Sequence, residues 1–311
     1  MNPAWSVVSF TTLAGAAQGL VVALAVALLL GVDVAPAAAG PALVVALLLL
    51  VAGLAASFLH LGRPERAWRA AMMWRTSWLS REVIVLPAFI GLVALWWLAL
   101  RAGSPPALTA TLLPLLAIAG AGLLWTCTGM IYACLRFIEE WAHPLTLASF
   151  ALSGLSSGLM LAAALGVLAG HEALARTAAS VALVVTLLAW GARSLALRRN
   201  TALRHRSTLQ SATGIRASRL VQTSMGMTGG SFNTREFFHR ASVAAVRQVR
   251  LATHVLGFAA PAALLAAGLV GAWPSAFVIA LVLQVPGLVA DRWLFFAEAK
   301  HPQNLYYQVV S

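Results

Sequence analysis

A histidine and a glutamate bracket the second polar interval of the chain. His60 stands in Phe58-Leu59-His60-Leu61-Gly62-Arg63-Pro64-Glu65-Arg66-Ala67-Trp68, and Glu82 closes Trp74-Arg75-Thr76-Ser77-Trp78-Leu79-Ser80-Arg81-Glu82. An imidazole titrates near neutral pH, and a carboxylate facing it completes a pair able to take up and release protons. His60 ends one apolar stretch and Glu82 opens the next, so both belong at one membrane depth, where an ionisable group is expensive to hold and usually functional. The plainer alternative has His60 capping a helix end and Glu82 pairing with Arg81 or Arg63 at the interface. Arg63 and Arg66 either fix residues of a pocket or hold a partner, and the sequence alone leaves that choice open.

The elements that must position these residues follow from composition. Of 311 residues, 61% are hydrophobic and only 10% charged, where a soluble domain runs near half apolar and a quarter charged. A soluble globular chain is excluded. Apolar runs bounded by proline, glycine or charge predict eight spanning helices at about 6 to 31, 42 to 60, 82 to 100, 111 to 134, 144 to 169, 175 to 197, 251 to 271 and 274 to 292. The expected fold is all-α: a polytopic integral membrane protein, a bundle of eight transmembrane helices forming one membrane domain over residues 1–311. A basic loop at 198–250 carries an interfacial helix, and 293–311 is a tail. The opening Met1-Asn2-Pro3-Ala4-Trp5 lacks the basic start of a secretory signal, so the first apolar run is expected to be a membrane helix.

Charge orients the bundle. The chain has 20 Arg and one Lys; with eight crossings, Arg101 and Arg176 fall on one face and the other 19 on the opposite face. The positive-inside rule then predicts both termini in the cytoplasm, and the expected setting is the bacterial inner membrane. Trp68, Trp74, Trp78, Trp141, Trp190, Trp273 and Trp293 lie near predicted helix ends, where indole rings favour the interface. A loop tied to the membrane at both ends is a poor nucleic-acid site, and none is expected. Cys127 and Cys134 are the only cysteines and cannot assemble a four-cysteine iron-sulfur or zinc site. His60, His143 and His254 lie near helix ends of one face, so two of them could ligate a single b-type haem. No histidine lies mid-helix on the other side to complete a transmembrane pair.

The sixth loop suits the gripping of another subunit. Gly229-Gly230 permits a tight turn, and Asn233 is expected to cap a helix whose third residue, Glu236, completes a capping-box-like start. Phe237, Phe238, Ala241, Ala245 and Val249 then give that helix an apolar side beside Arg235, Arg240, Arg247 and Arg250, and it is expected to lie along the membrane surface before the seventh span. Attraction of about 1 kcal/mol per basic residue to an anionic leaflet is the competing explanation for the charge. Docking contacts are expected from Arg206, Arg216, Gly229, Gly230, Asn233, Arg235, Phe237, Phe238, Arg292 and His301.

His60-Leu61-Gly62-x-Pro64-x-Arg66-Ala67 followed by Leu79-Ser80-x-Glu82 resembles the membrane anchor subunit of dimethyl sulfoxide reductase, the DmsC family. The resemblance covers the eight-helix layout and is sharpest from His60 to Glu82. It implies an integral subunit that holds a molybdopterin catalytic subunit and an iron-sulfur subunit on the membrane and exchanges electrons with quinone (ubiquinone or menaquinone) without haem. His60 and Glu82 inherit the quinone site, with Arg63, Arg66, Trp78 and Arg81 around it. The sequence departs from the type member in placing this loop, by charge, in the cytoplasm. The sixth loop and the tail from Asp291 to Asn304 are similar to the subgroup found with cytoplasm-facing sulfite dehydrogenases, which implies electrons passing from sulfite oxidation into the quinone pool. A quinol-oxidising reductase of an S-oxide, N-oxide or polysulfide-like acceptor remains the alternative within the family. A transporter is the alternative from another class, although mid-membrane charges are scarce and paired broken helices are absent.

Overall fold

The structure, a computed structural model, describes residues 1–32, 34, 36–59, 61–224, 226 and 229–307. The described residues are helical, with no strand among them. Eight helices are long and apolar enough to cross a bilayer. They are α1 (Trp5–Leu29), α2 (Pro36–Phe58), α3 (Trp78–Arg101), α4 (Leu113–Ala133, preceded by a π-helical turn Ala107–Leu112), α5 (Pro144–Leu168), α6 (Glu172–Thr201), a seventh span begun by α9, and α11 (Ser275–Ala297). Two five-residue helices, α7 (Leu209–Thr213) and α8 (Phe232–Glu236), lie in the long loop, and α9 (Val243–His254) continues through a π-helical turn, Val255–Ala259, into α10 (Ala260–Val270). The expected all-α bundle of eight spans is what the chain forms. The first loop is shorter than expected, because α2 starts at Pro36 and takes Pro41 into the helix.

The centre of the bundle is α1 and α5, each with 61% of its most apolar window buried, against 28% for α2 and α3. Two lipid-like helix surfaces gain little from apolar contact alone, so small residues that let backbones approach hold such helices together. Here a Cβ on Gly158 of α5 would lie 2.0 Å from the Gly19 carbonyl carbon of α1, and one on Gly19 would lie 2.1 Å from the Gly154 carbonyl oxygen. Only glycine fits this crossing.

Both π-helical turns precede a proline, and the reason is the missing N–H. The Leu113 amide reaches back to Leu108 O, Pro114 has no amide to offer, and the stranded Thr109 carbonyl accepts the Trp96 indole N–H at 2.8 Å. Pro261 likewise cannot serve Gly257 O, and Gln284 Nε2 stands 3.5 Å from that oxygen. Gln284 also donates to Ser156 Oγ at 2.8 Å, which lies 2.7 Å from Thr186 Oγ1. A polar knot therefore ties α5, α6 and α11 together within the apolar interior. Seven residues nearer the loop-bearing end of α6 and α11, Arg193 and Asp291 form a buried ion pair at 2.5 Å.

Candidate functional site

Ser77 starts α3 by accepting the Ser80 N–H at 3.3 Å, a serine N-cap that satisfies one of the free amides of the first turn. The helix entry places Glu82 just inside the bundle, where it is 6% exposed. Its carboxylate accepts a hydrogen bond from the Thr128 hydroxyl of α4. No arginine or lysine among the described residues pairs with it. In particular, the expected alternative partner Arg81 turns away: it donates to Trp74 O at 2.9 Å and Arg75 O at 2.8 Å, and its guanidinium lies 4.2 Å from the Trp78 ring centroid. Arg63 is exposed, and Arg66 is exposed beside Glu65 at 3.8 Å. His60 lies outside the described residues. On either side of it, α2 ends at Phe58 and the Leu61 amide donates to Phe58 O at 3.1 Å.

A buried carboxylate held by a neutral hydroxyl, with no cation to fix its charge, is a group that can exchange a proton. One turn beyond Thr128, Tyr132 enters an aromatic cluster in which its ring stacks on Phe150, with centroids 5.5 Å apart, and meets Trp141, Phe295 and Phe296 edge-on. Trp141 donates its indole N–H to Phe295 O at 3.1 Å.

The long loop and the tail meet at the same end of the bundle. Asn304 Nδ2 donates to Phe237 O at 3.1 Å, the Tyr306 hydroxyl donates to Ala212 O at 2.8 Å, and the Asn2 amide donates to Glu236 O at 2.8 Å. His301 stacks on Phe237, centroids 4.1 Å apart. Burial and the neighbouring chain terminus push the His239 and His301 imidazoles below the ordinary histidine value, and burial with Arg199 does the same to His143. Phe237, His239, His301 and Asn304 line an open cavity of about 660 Å³, within the size range of small-molecule pockets.

Several expected docking features are placed differently. Asn233 is not the cap of its helix: Ser231 is, because its hydroxyl accepts the Thr234 amide while the Thr234 hydroxyl accepts the Ser231 amide. Asn233 instead reaches Tyr307 Oη at 3.4 Å. The single interfacial helix expected from the Asn233 cap onward is interrupted, since Arg240 adopts a left-handed φ of 56° and Ser242 caps a new helix. Among the described glycines of this loop the left-handed ones are Gly214 and Gly226, not Gly229 or Gly230. Arg292 is no surface contact: it is 4% exposed, 3.9 Å from the Phe150 ring centroid, with Nη2 3.5 Å from Ser149 O. Arg206, Arg216, Arg235 and both glycines are exposed, whereas Phe238 is buried. Sequence reasoning missed Thr128, the Arg193–Asp291 pair and the Glu139-Glu140 doublet. The doublet was visible as adjacent acids on an otherwise basic face.

A profile of the DMSO reductase anchor subunit (DmsC) family matches residues 1–297. The chain is 48% identical, over its full length and that of the relative, to the C-subunit of the sulfite dehydrogenase of Allochromatium vinosum. Over 119 residues, 38% of this chain and 41% of the other, it is 34% identical to "Anaerobic dimethyl sulfoxide reductase chain YnfH" of Escherichia coli. With eight membrane-spanning helices and a family match over nearly its whole length, the chain belongs to the DMSO reductase anchor subunit family, as a multi-pass membrane anchor of an oxidoreductase.

Proposed function

We propose that this chain binds quinone beside Glu82 and His60 and passes to it electrons delivered by an iron-sulfur subunit docked on the loop-bearing face. A molybdopterin subunit beyond that one oxidises sulfite, the substrate named for the full-length relative. The observation that carries the reading is Glu82: a carboxylate buried at a helix entry, on a neutral hydroxyl partner and without a permanent counter-ion among the described residues. Quinone, when bound, supplies a two-electron, two-proton acceptor. The donor set suits such a ligand, because a protonated Glu82 donates to a carbonyl oxygen and an ionised one accepts from a hydroxyl. Thr128 holds the carboxylate in place, and Arg81 stacks on Trp78 at the start of the same helix. The density of arginine on the loop-bearing face supports placing that face, and the soluble subunits, in the cytoplasm.

Glu82→Gln keeps the size and the hydrogen bond but removes the exchangeable proton. In the purified complex it should leave the set of assembled polypeptides unchanged and lower sulfite-to-quinone turnover by about 10²-fold or more, the range of a lost acid-base group. Sulfite oxidation with an artificial acceptor that bypasses this anchor should be unaffected. Unchanged quinone turnover would rule out the site. The similarity to an anaerobic dimethyl sulfoxide reductase chain favours, as the second reading, quinol oxidation feeding a reductase. Quinol-driven reduction of an S-oxide, with no sulfite activity in either direction, would establish it.

A further inference from the structure

The 660 Å³ cavity at the loop-bearing end gathers three acids into a basic face. Of the nine acidic residues in the chain, Glu139, Glu140 and Glu298 all line it. Two are already committed: Glu298 is paired with Arg250, and Glu139 accepts the Arg206 amide at 2.8 Å. Glu140 is different. Its side chain is 4% exposed, one oxygen lies 3.5 Å from His205 Nε2, and the other has no partner among the described residues. His205 balances this charge only when protonated. The Met1 amino group is also near, but its hydrogen bonds go to Ala297 O and Ala299 O, both at 3.0 Å, and burial lowers its pKa to about 6 against the opposing pull of Glu140. A second buried acceptor on the same wall, Asn304 Oδ1, is likewise unpartnered. The rim cations Arg240 and Lys300 are exposed and solvated.

An unsatisfied buried carboxylate is among the most expensive features a fold can keep. Three buried groups unpartnered among the described residues line the cavity: the donor Arg250 Nε, whose guanidinium is already paired with Glu298, and the acceptors Glu140 Oε2 and Asn304 Oδ1, which ask for a group with several N–H donors and a positive charge. The cavity is large enough for a long side chain, and Phe137 at its wall offers an aromatic surface for the apolar stem. We propose that this cavity is the socket for one lysine or arginine side chain projecting from the soluble protein that docks on this face, with Glu140 as its counter-ion. The inference rests on the anchor reading above. It adds a charge pattern to that partner: an acidic surface that meets the arginines of the rim, broken by a single basic knob. Rim contacts set the approach and weaken with salt, whereas the desolvated pair fixes register and resists salt.

The test uses the whole complex. Placing p-benzoylphenylalanine at position 137 and irradiating should give an adduct on a peptide of the soluble partner that contains a lysine or arginine. Glu140→Gln should weaken retention of that partner at high salt by about thirtyfold, the low end for loss of one member of a buried charge pair. Exchanging the charges between position 140 and the identified basic residue should restore part of the retention. If the wild-type chain retains no soluble partner, the anchor reading itself fails. If the partners are retained but the adduct forms on lipid or quinone, or not at all, the socket is refuted while the anchor reading stands. The crosslink does not depend on the Glu140 variant folding.

Discussion

At the residue scale two of the buried acids, Asp291 and Glu82, are held in contrasting ways. Arg193 and Asp291, 3% and 1% exposed, neutralise one another, whereas the partner of Glu82 among the described residues is a hydroxyl. The first arrangement fixes charge, and the second leaves it free to change. Removing one partner of a buried pair strands the other, so Arg193→Leu should destabilise the chain by about 3–5 kcal/mol, and Arg193→Leu combined with Asp291→Leu should recover most of the loss. Thermal unfolding of the two variants in mild detergent measures the difference; equal losses would show that the pair contributes through packing and not through charge. Glu82 was legible in the sequence because it opens a span beside a basic loop. Its partner Thr128 was not, since it stands 46 residues away in another helix and one threonine in an apolar run carries no signal.

At the element scale the spans were legible because a bilayer imposes a length on every crossing, and that length survives in the hydropathy of each segment. Local rules were less dependable in the long loop. Asn233 and Ser231 are both good capping residues, and what decides between them is the reciprocal bond with Thr234, which a pattern of types does not reveal. Packing between spans was also hidden, although its residues lie in plain view: Gly15 and Gly19 in α1, Gly154 and Gly158 in α5. Gly158→Ala would drive a methyl into the Gly19 backbone and should lower stability by about 1–3 kcal/mol. Gly122→Ala, where nothing lies within 4 Å of the added carbon, is the matched control and should be neutral or slightly stabilising. Equal melting temperatures for the two variants would mean that α1 and α5 separate at little cost.

At the scale of the whole molecule, two features divide the bundle into unlike ends. Nineteen of 21 basic residues gather at the end that also carries the long loop, the tail and the cavity. The other end has short turns, such as the one in which Trp273 donates its amide to Gly268 O at 3.0 Å. In a chain in which the exposed Cys134 is replaced by serine, cysteine placed at Ser207, in the long loop, should react with a membrane-impermeant maleimide only in inverted vesicles, and cysteine at Ser104 only in intact cells. The opposite pattern would turn the docking face outward and require exported soluble subunits. The charge imbalance that suggests the orientation is the plainest global feature of the sequence. The cavity is the least legible, because its walls come from separated stretches of chain that meet only when the bundle closes.

The ties between distant stretches at the loop-bearing end also fix an order of events in biogenesis. Residues 297–307 hold the long loop through Asn304 and Tyr306, while the first residues reach both, Met1 through Ala297 O and Ala299 O and Asn2 through Glu236 O. A ribosome releases residues 297–307 after every span has been synthesised. The proposed docking surface is therefore completed only after the eighth span, and an anchor truncated before residue 297 lacks these ties.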